Sequence, residues 1–259
     1  MSRRPRHDVS VLRPLTRPKA RRTLVCLSFC GGGTGPYREW AAVLDAGTDL
    51  ALVCYPGREG RYSEPYARTW DEMATDAATV VRTAAGDKPY VLFGHSMGGW
   101  MAFEVAARLE EEGGPRPAAL AASACNAPHR GLTERDTFPS MSDSEDELIA
   151  WMRTGGLLPG YITTDADLLE MAVDLMRADI AVRDTYRYTP GAFTTAPTQV
   201  MHGVDDTVID PAVAEEWAAV CRDDLTVTTL PGGHFYTPEV WRRLPTYIKA
   251  LTPDLSVRH

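Results

Sequence analysis

The stretch from Tyr90 to Leu109, YVLFGHSMGGWMAFEVAARL, constrains the fold more than any other part of the chain. Four apolar residues run into Gly94-His95-Ser96-Met97-Gly98, after which apolar residues recur at helical spacing. That pattern reads as a buried strand turning at once into a helix. A side chain at the apex of so tight a turn is crowded, so a serine there is a costly choice. Flanking glycines relieve the crowding, and the hydroxyl is then held out in front of a helix N-terminus, whose positive end and free N–H groups favour developing negative charge. A glycine-rich turn without chemistry is the bland alternative, and it leaves the serine unexplained.

The remaining chain repeats the strand-then-helix rhythm. Apolar or β-branched runs at 23–30, 50–55, 90–93, 118–124, 198–202 and 225–230 read as strands. Helical spacing is expected after the first of them, from Thr69 to Ala85, from Ser96 to the Gly113-Gly114 stop, at 211–221, and from Thr237 until Pro245 breaks it. Uniformly apolar strands alternating with helices predict an α/β fold: a mostly parallel central sheet with helices on both faces. A chain of 259 residues is long enough to bury this core in one domain. Between about 129 and 196 the texture changes to helices alone, opened by the capping box Ser144-Glu145-Asp146-Glu147. An insertion of that kind is expected to cover the C-terminal strand ends, where α/β ligands bind. Its Gly155-Gly156 and Pro159-Gly160 breaks predict a mobile lid.

The formal charge of −8 conceals an asymmetry, because residues 1–22 carry eight Lys/Arg against one acid. They read as a basic, proline-broken, disordered arm, with residues 23–259 as the domain proper. No nucleic-acid motif accompanies the arm, so no nucleic-acid partner is expected. It also lacks the apolar core of a secretory signal, and no apolar run approaches the ~18–20 residues of a membrane span. Five cysteines without C-x-x-C spacing read as buried thiols of a reducing cytoplasm, not as disulfides or a zinc site.

A serine hydroxyl is a poor nucleophile at neutral pH and needs a base. Of the six histidines, His7 and His259 are terminal, His129 opens the insertion, and His202 ends a strand. His95 lies inside the turn and reads as a packing residue beside the site. His234 lies in LPGGHFY, a glycine-rich loop after the last strand, from which an imidazole reaches back over the sheet end. The orienting acid should follow the preceding strand, in the order Ser, Asp, His. HGVDDTVID offers Asp205, Asp206 and Asp210. Counting three residues beyond Gly203 favours Asp206, although spacing alone does not choose. For the oxyanion, the Met97 N–H is one donor and the N–H of Cys30, in SFCGGG, the other. The rival reading of Gly31-Gly32-Gly33 as a phosphate loop lacks a G-K-[ST] continuation.

Taken together, these segments resemble the type II thioesterases that accompany nonribosomal peptide and polyketide synthases. The resemblance runs from about Leu24 to the last helix. It rests on LVCLSFCGGG, the loop YPGREGRYSEP (55–65), FGHSMGGWMAFEVA, HGVDDTVI and LPGGHFY. Ser28-Phe29-Cys30 departs from the Pro-aromatic-Ala more usual in the family, but a backbone donor tolerates that change. The resemblance implies an α/β-hydrolase fold and hydrolysis of acyl groups from the phosphopantetheine arm of a carrier protein. It implies the triad Ser96, Asp206 and His234, with the motif again aligning on Asp206, and no metal or organic cofactor. Arg58 and Arg61 in the diagnostic loop are the expected contacts with the acidic carrier, unless they bridge to Glu59 or Glu64 instead. A monomer acting in the cytoplasm is expected. Two other classes share parts of the pattern: a free-standing carboxylesterase or acyltransferase with the same triad, and a non-catalytic hydrolase-fold binding protein.

Overall fold

The structure is a computed structural model that describes residues 10–252. His7, His259 and the arm before Ser10 lie outside the described residues. The strands are β1 (Val11–Leu12), β2 (Arg22–Leu27), β3 (Thr48–Val53), β4 (Tyr90–His95), β5 (Ala119–Ser123), β6 (Thr198–Gly203) and β7 (Leu225–Leu230). They form one sheet in the order β1-β3-β2-β4-β5-β6-β7. Every neighbouring pair is parallel except β1 with β3. The helices are α1 (Trp70–Ala85), α2 (Met97–Glu111), α3 (Glu145–Thr154), α4 (Gly160–Thr163), α5 (Ala166–Asp184), α6 (Val213–Ala218) and α7 (Pro238–Arg243). The segment after β2 that was expected to be helical is a 3-10 helix, Gly35–Ala42.

Why the central strands are largely apolar is visible in the packing. Val25, Leu27, Ala51 and Leu92 join a core with Met73 and Val81 of α1, Met101 and Val105 of α2, and Trp217 of α6. Their neighbours Leu24, Cys26, Leu50 and Phe93 point the other way, against Tyr37, Trp40, Val240 and Leu244. With period-2 side chains and both faces covered, the central strands must be largely apolar, whereas edge strand β7, LTVTTL, is only partly buried. Local chemistry starts and stops the helices as expected. Thr69 Oγ1 accepts the Glu72 N–H at 3.2 Å, Ser144 and Glu147 close their capping box, and Pro245 falls in a 3-10 turn after α7 ends.

One expectation needs correcting. The arm assigned to residues 1–22 is structured from Ser10 onward: β1 pairs antiparallel with β3, covering an otherwise open sheet edge. Arg13 pairs with Asp49 and donates to the Ala84 carbonyl. Arg17 donates to the carbonyls of Ala41, Leu44 and Thr48. Carbonyls left open at the end of a short helix are good partners for a guanidinium. The charge run that looked solvated is therefore partly spent on the backbone.

Candidate active site

Because the strands are parallel, the loops that follow β2, β4, β6 and β7 emerge at one edge of the sheet. The turn after β4 carries Ser96 at φ 54° and ψ −125°, in the left-handed region where a serine is strained. Its N–H donates to the Ser123 carbonyl at 2.7 Å, and its own carbonyl accepts the Gly99 N–H at 2.8 Å, so the strain is held from both sides. A Cβ at Gly94 would collide with the Gly98 carbonyl. The flanking glycines are thus demanded by close backbone approach.

His234 reaches this serine from the loop after β7. Its Nε2 lies 2.9 Å from Ser96 Oγ and its Nδ1 lies 3.0 Å from Asp206 Oδ2. A carboxylate only accepts, so Nδ1–H donates to Asp206 and Nε2 is left to accept the serine proton. The Asp206 side chain is 1% exposed, and its Oδ1 accepts the Val208 N–H at 3.0 Å. The acid and base loops are also tied directly, the Asp205 N–H donating to the Gly232 carbonyl at 3.0 Å. A Cβ at Gly203 would strike the Gly232 and Gly233 carbonyls, which explains the glycine closing β6. Asp205 itself is exposed. Asp210 accepts the Ala212 N–H at 2.9 Å and faces Arg130. Of the three acids, only Asp206 meets the imidazole.

His95 is fully buried on the other flank of the base, with ring centroids 5.4 Å apart. Its Nδ1 lies 3.0 Å from Ser123 Oγ, which in turn lies 2.7 Å from the Tyr236 hydroxyl. Burial, and then the proximity of His234, holds its pKa well below the usual imidazole value. It stays neutral and packs, as its position inside the turn had indicated. The other central histidine, His202, keeps to its strand end, with Nδ1 3.1 Å from the Gly203 carbonyl.

Ser96 and His234 open into a cavity of about 670 Å³. The sheet side contributes Phe29, Cys30, Met97 and Phe235; the insertion contributes Trp151 and Leu157. Neither the Met97 nor the Cys30 N–H has a hydrogen-bond partner among the described residues. The Cys30 thiol is buried, and burial pushes its pKa well up, so it is protonated at neutral pH and no nucleophile.

Of the two roles expected for Arg58 and Arg61, carrier contact or structural bridging, the geometry favours bridging, Arg61 meeting Glu64 as the alternative had it. The Arg58 side chain is 4% exposed, and its guanidinium forks onto Asp179 of α5, with Nη2–Oδ1 at 2.6 Å and Nη1–Oδ2 at 2.9 Å. Arg61 is 9% exposed and spans Asp76 and Glu64. Glu59 is not the partner of either; it accepts from Thr34. Guanidinia that are themselves nearly buried and paired with carboxylates present little charge to a docking protein. Asp179 is the residue the sequence did not reveal, because nothing local distinguishes it from other acids of the insertion.

Comparison with known proteins gives a consistent set of relatives. The family model of the thioesterase domain matches residues 22–252. The AMB antimetabolite synthetase AmbE of Pseudomonas aeruginosa is 34% identical over 82% of this chain, which spans only 10% of that protein. A probable cadicidin biosynthesis thioesterase of Streptomyces griseus is 32% identical over 89% of this chain and 63% of its own length. The chain thus spans less than two thirds of either curated relative. Among solved structures, the type II thioesterase BorB from the borrelidin biosynthetic cluster is 33% identical with a TM-score of 0.79, covering 94% of this chain and 98% of its own.

Proposed function

Starting from a chain that belongs to the thioesterase family, and within it to the type II thioesterases, we propose that it hydrolyses acyl groups from the phosphopantetheine arm of carrier protein domains. The observation that carries this is the hydrogen-bonded chain Asp206–His234–Ser96 opening into a largely apolar cavity. Ser96 Oγ attacks the thioester carbonyl while His234 Nε2 takes its proton. Asp206 holds the tautomer and stabilises the imidazolium that forms. The carbonyl electrons move onto oxygen, where the N–H groups of Met97 and Cys30 receive them. Collapse expels the pantetheine sulfur, which His234 protonates. A thiol of pKa ~8.5 leaves more readily than an alkoxide, so little acid assistance is needed. Water, activated by the same histidine, then cleaves the acyl-enzyme.

Phosphopantetheine arrives with the substrate, and the steps above draw on side chains and backbone amides alone. The biological role would be to clear synthase modules stalled or misprimed by the wrong acyl group. The test is a panel of acyl chains loaded on a carrier protein, set against small esters of the same acids. Turnover of the carrier-bound thioesters, abolished in Ser96→Ala, is expected. Preference for the small esters would point to a free-standing esterase instead.

A further inference from the structure

We infer that Asp179, a residue of the insertion, is a positioning residue for the oxyanion donor on Cys30; this rests on the reading of the Cys30 N–H as that donor. Phe29 to Gly32 form a tight turn, closed by the Gly32 N–H donating to the Phe29 carbonyl at 2.9 Å. Gly31, third in the turn, has φ +73°, the conformation a type II turn requires there. Three successive glycines give this loop little rigidity of its own. Its orientation must be imposed from outside.

Asp179 imposes it. Its side chain is 1% exposed, and Oδ2 accepts the Gly31 N–H at 2.8 Å as well as Arg58 Nη1–H. The same Arg58 Nη1 donates to the Gly32 carbonyl at 2.7 Å. One buried ion pair therefore grips the N–H of one turn residue and the C=O of the next. The Cys30 N–H belongs to that turn, so the grip that sets the turn also sets the orientation in which this amide can meet the substrate's oxyanion. Turning the central peptide over would carry the Gly31 N–H away from its acceptor. Another contact runs from the same helix to the turn, Cys30 Sγ lying 3.7 Å from Met176 Sδ. A buried ion pair is an uneconomical way to add stability alone, because apolar side chains of similar size often do as well. The insertion thus supplies catalytic geometry in addition to a roof.

Two double variants separate positioning from stability. Arg58→Met with Asp179→Leu replaces the pair by apolar groups and leaves the Gly31 N–H without an acceptor. Arg58→Met with Asp179→Asn also removes the charges but keeps an acceptor for that N–H. The leucine pair is expected to fold and to lose kcat by about 10- to 100-fold, the scale of a weakened oxyanion donor, with KM within about twofold. The asparagine pair should lie within about threefold of wild type. Equal kcat in the two variants, or a loss confined to KM, overturns the inference. Should the leucine pair fail to fold, a kcat more than about tenfold below wild type in the asparagine pair overturns it unaided.

Affinity for an alkylboronic acid gives a reading independent of the substrate. Its tetrahedral adduct needs only Ser96 and the oxyanion donors, so it should weaken in parallel with kcat in the leucine pair. If wild-type protein leaves carrier thioesters untouched, the hydrolysis reading fails, while boronate affinity still decides the clamp. Unchanged affinity in the leucine pair would sink it.

Discussion

Ser96, Asp206 and His234 leave the ends of three strands of one sheet, whereas the roof over them comes from a segment that contributes no strand. The two regions are held by different physics. Around the triad, strand ladders fix positions across the sheet: His95 pairs in register with Ser123, and Gly203 with Leu230. The insertion depends instead on side chains: α5 is tied to the rest of the fold by Asp179, which pairs with Arg58, and by Met176, Ile180 and Val182 in the core, while Arg183 braces the insertion internally by donating to the Pro139 and Thr137 carbonyls. Ladder hydrogen bonds are many and cooperative. A region held by side chains without strand pairing can open locally while the sheet stays closed. What the difference teaches is that the triad stands on strand ends while the covering segment is held by side chains, and the proposed division of labour, proton transfer on the one and access through the other, is open to test.

The sharpest test of the rigid half is removal of its reacting groups. Ser96→Ala and His234→Ala should each lower kcat by as much as ~10⁶ without unfolding the protein. Substantial turnover by either folded variant would break the proposed mechanism. Asp206→Asn should cost up to ~10⁴ in kcat, since it upsets the histidine tautomer. Asp205→Asn, altering an exposed neighbour, should cost far less. A larger loss in the Asp205 variant would reassign the acid.

On the looser half, smaller and more selective effects are expected. Trp151 lines the cavity from α3 and packs with Phe235, their ring centroids 6.3 Å apart. Trp151→Ala should lower kcat/KM for long acyl chains by about tenfold, the scale of a lost apolar contact, and leave short chains nearly unaffected. A uniform loss across chain lengths would show that Trp151 does more than shape the acyl pocket. Hydrogen exchange should be faster in α3 and α4 than in β4 and β5. Equal protection would remove the distinction between the halves. The smallest effect belongs to Cys30→Ala, expected to keep kcat within about threefold because the proposed donor is a backbone group. Its buried, protonated thiol should also resist iodoacetamide in the folded protein, so ready labelling would contradict the packing.

The sequence by itself determined the alternation of strands and helices, the strained turn around Ser96, and the loops carrying His234 and Asp206. Each of these rests on local signals. Apolar strands must be buried on both faces, glycines must stand where backbones touch, and each reacting residue follows its own strand by a short, countable interval. The basic arm misled for a related reason. Charge and proline are local features, while the carbonyls that receive Arg17 lie 24 to 31 residues away. Arg58 and Arg61 sit in one short loop and look alike in sequence. The fold sends Arg58 to Asp179, 121 residues on, and Arg61 to Asp76, 15 residues on. No periodicity or spacing encodes a partner at that distance. Only the tertiary structure, by laying α5 across the loop after β2, decided that one of these arginines grips the turn carrying the Cys30 N–H.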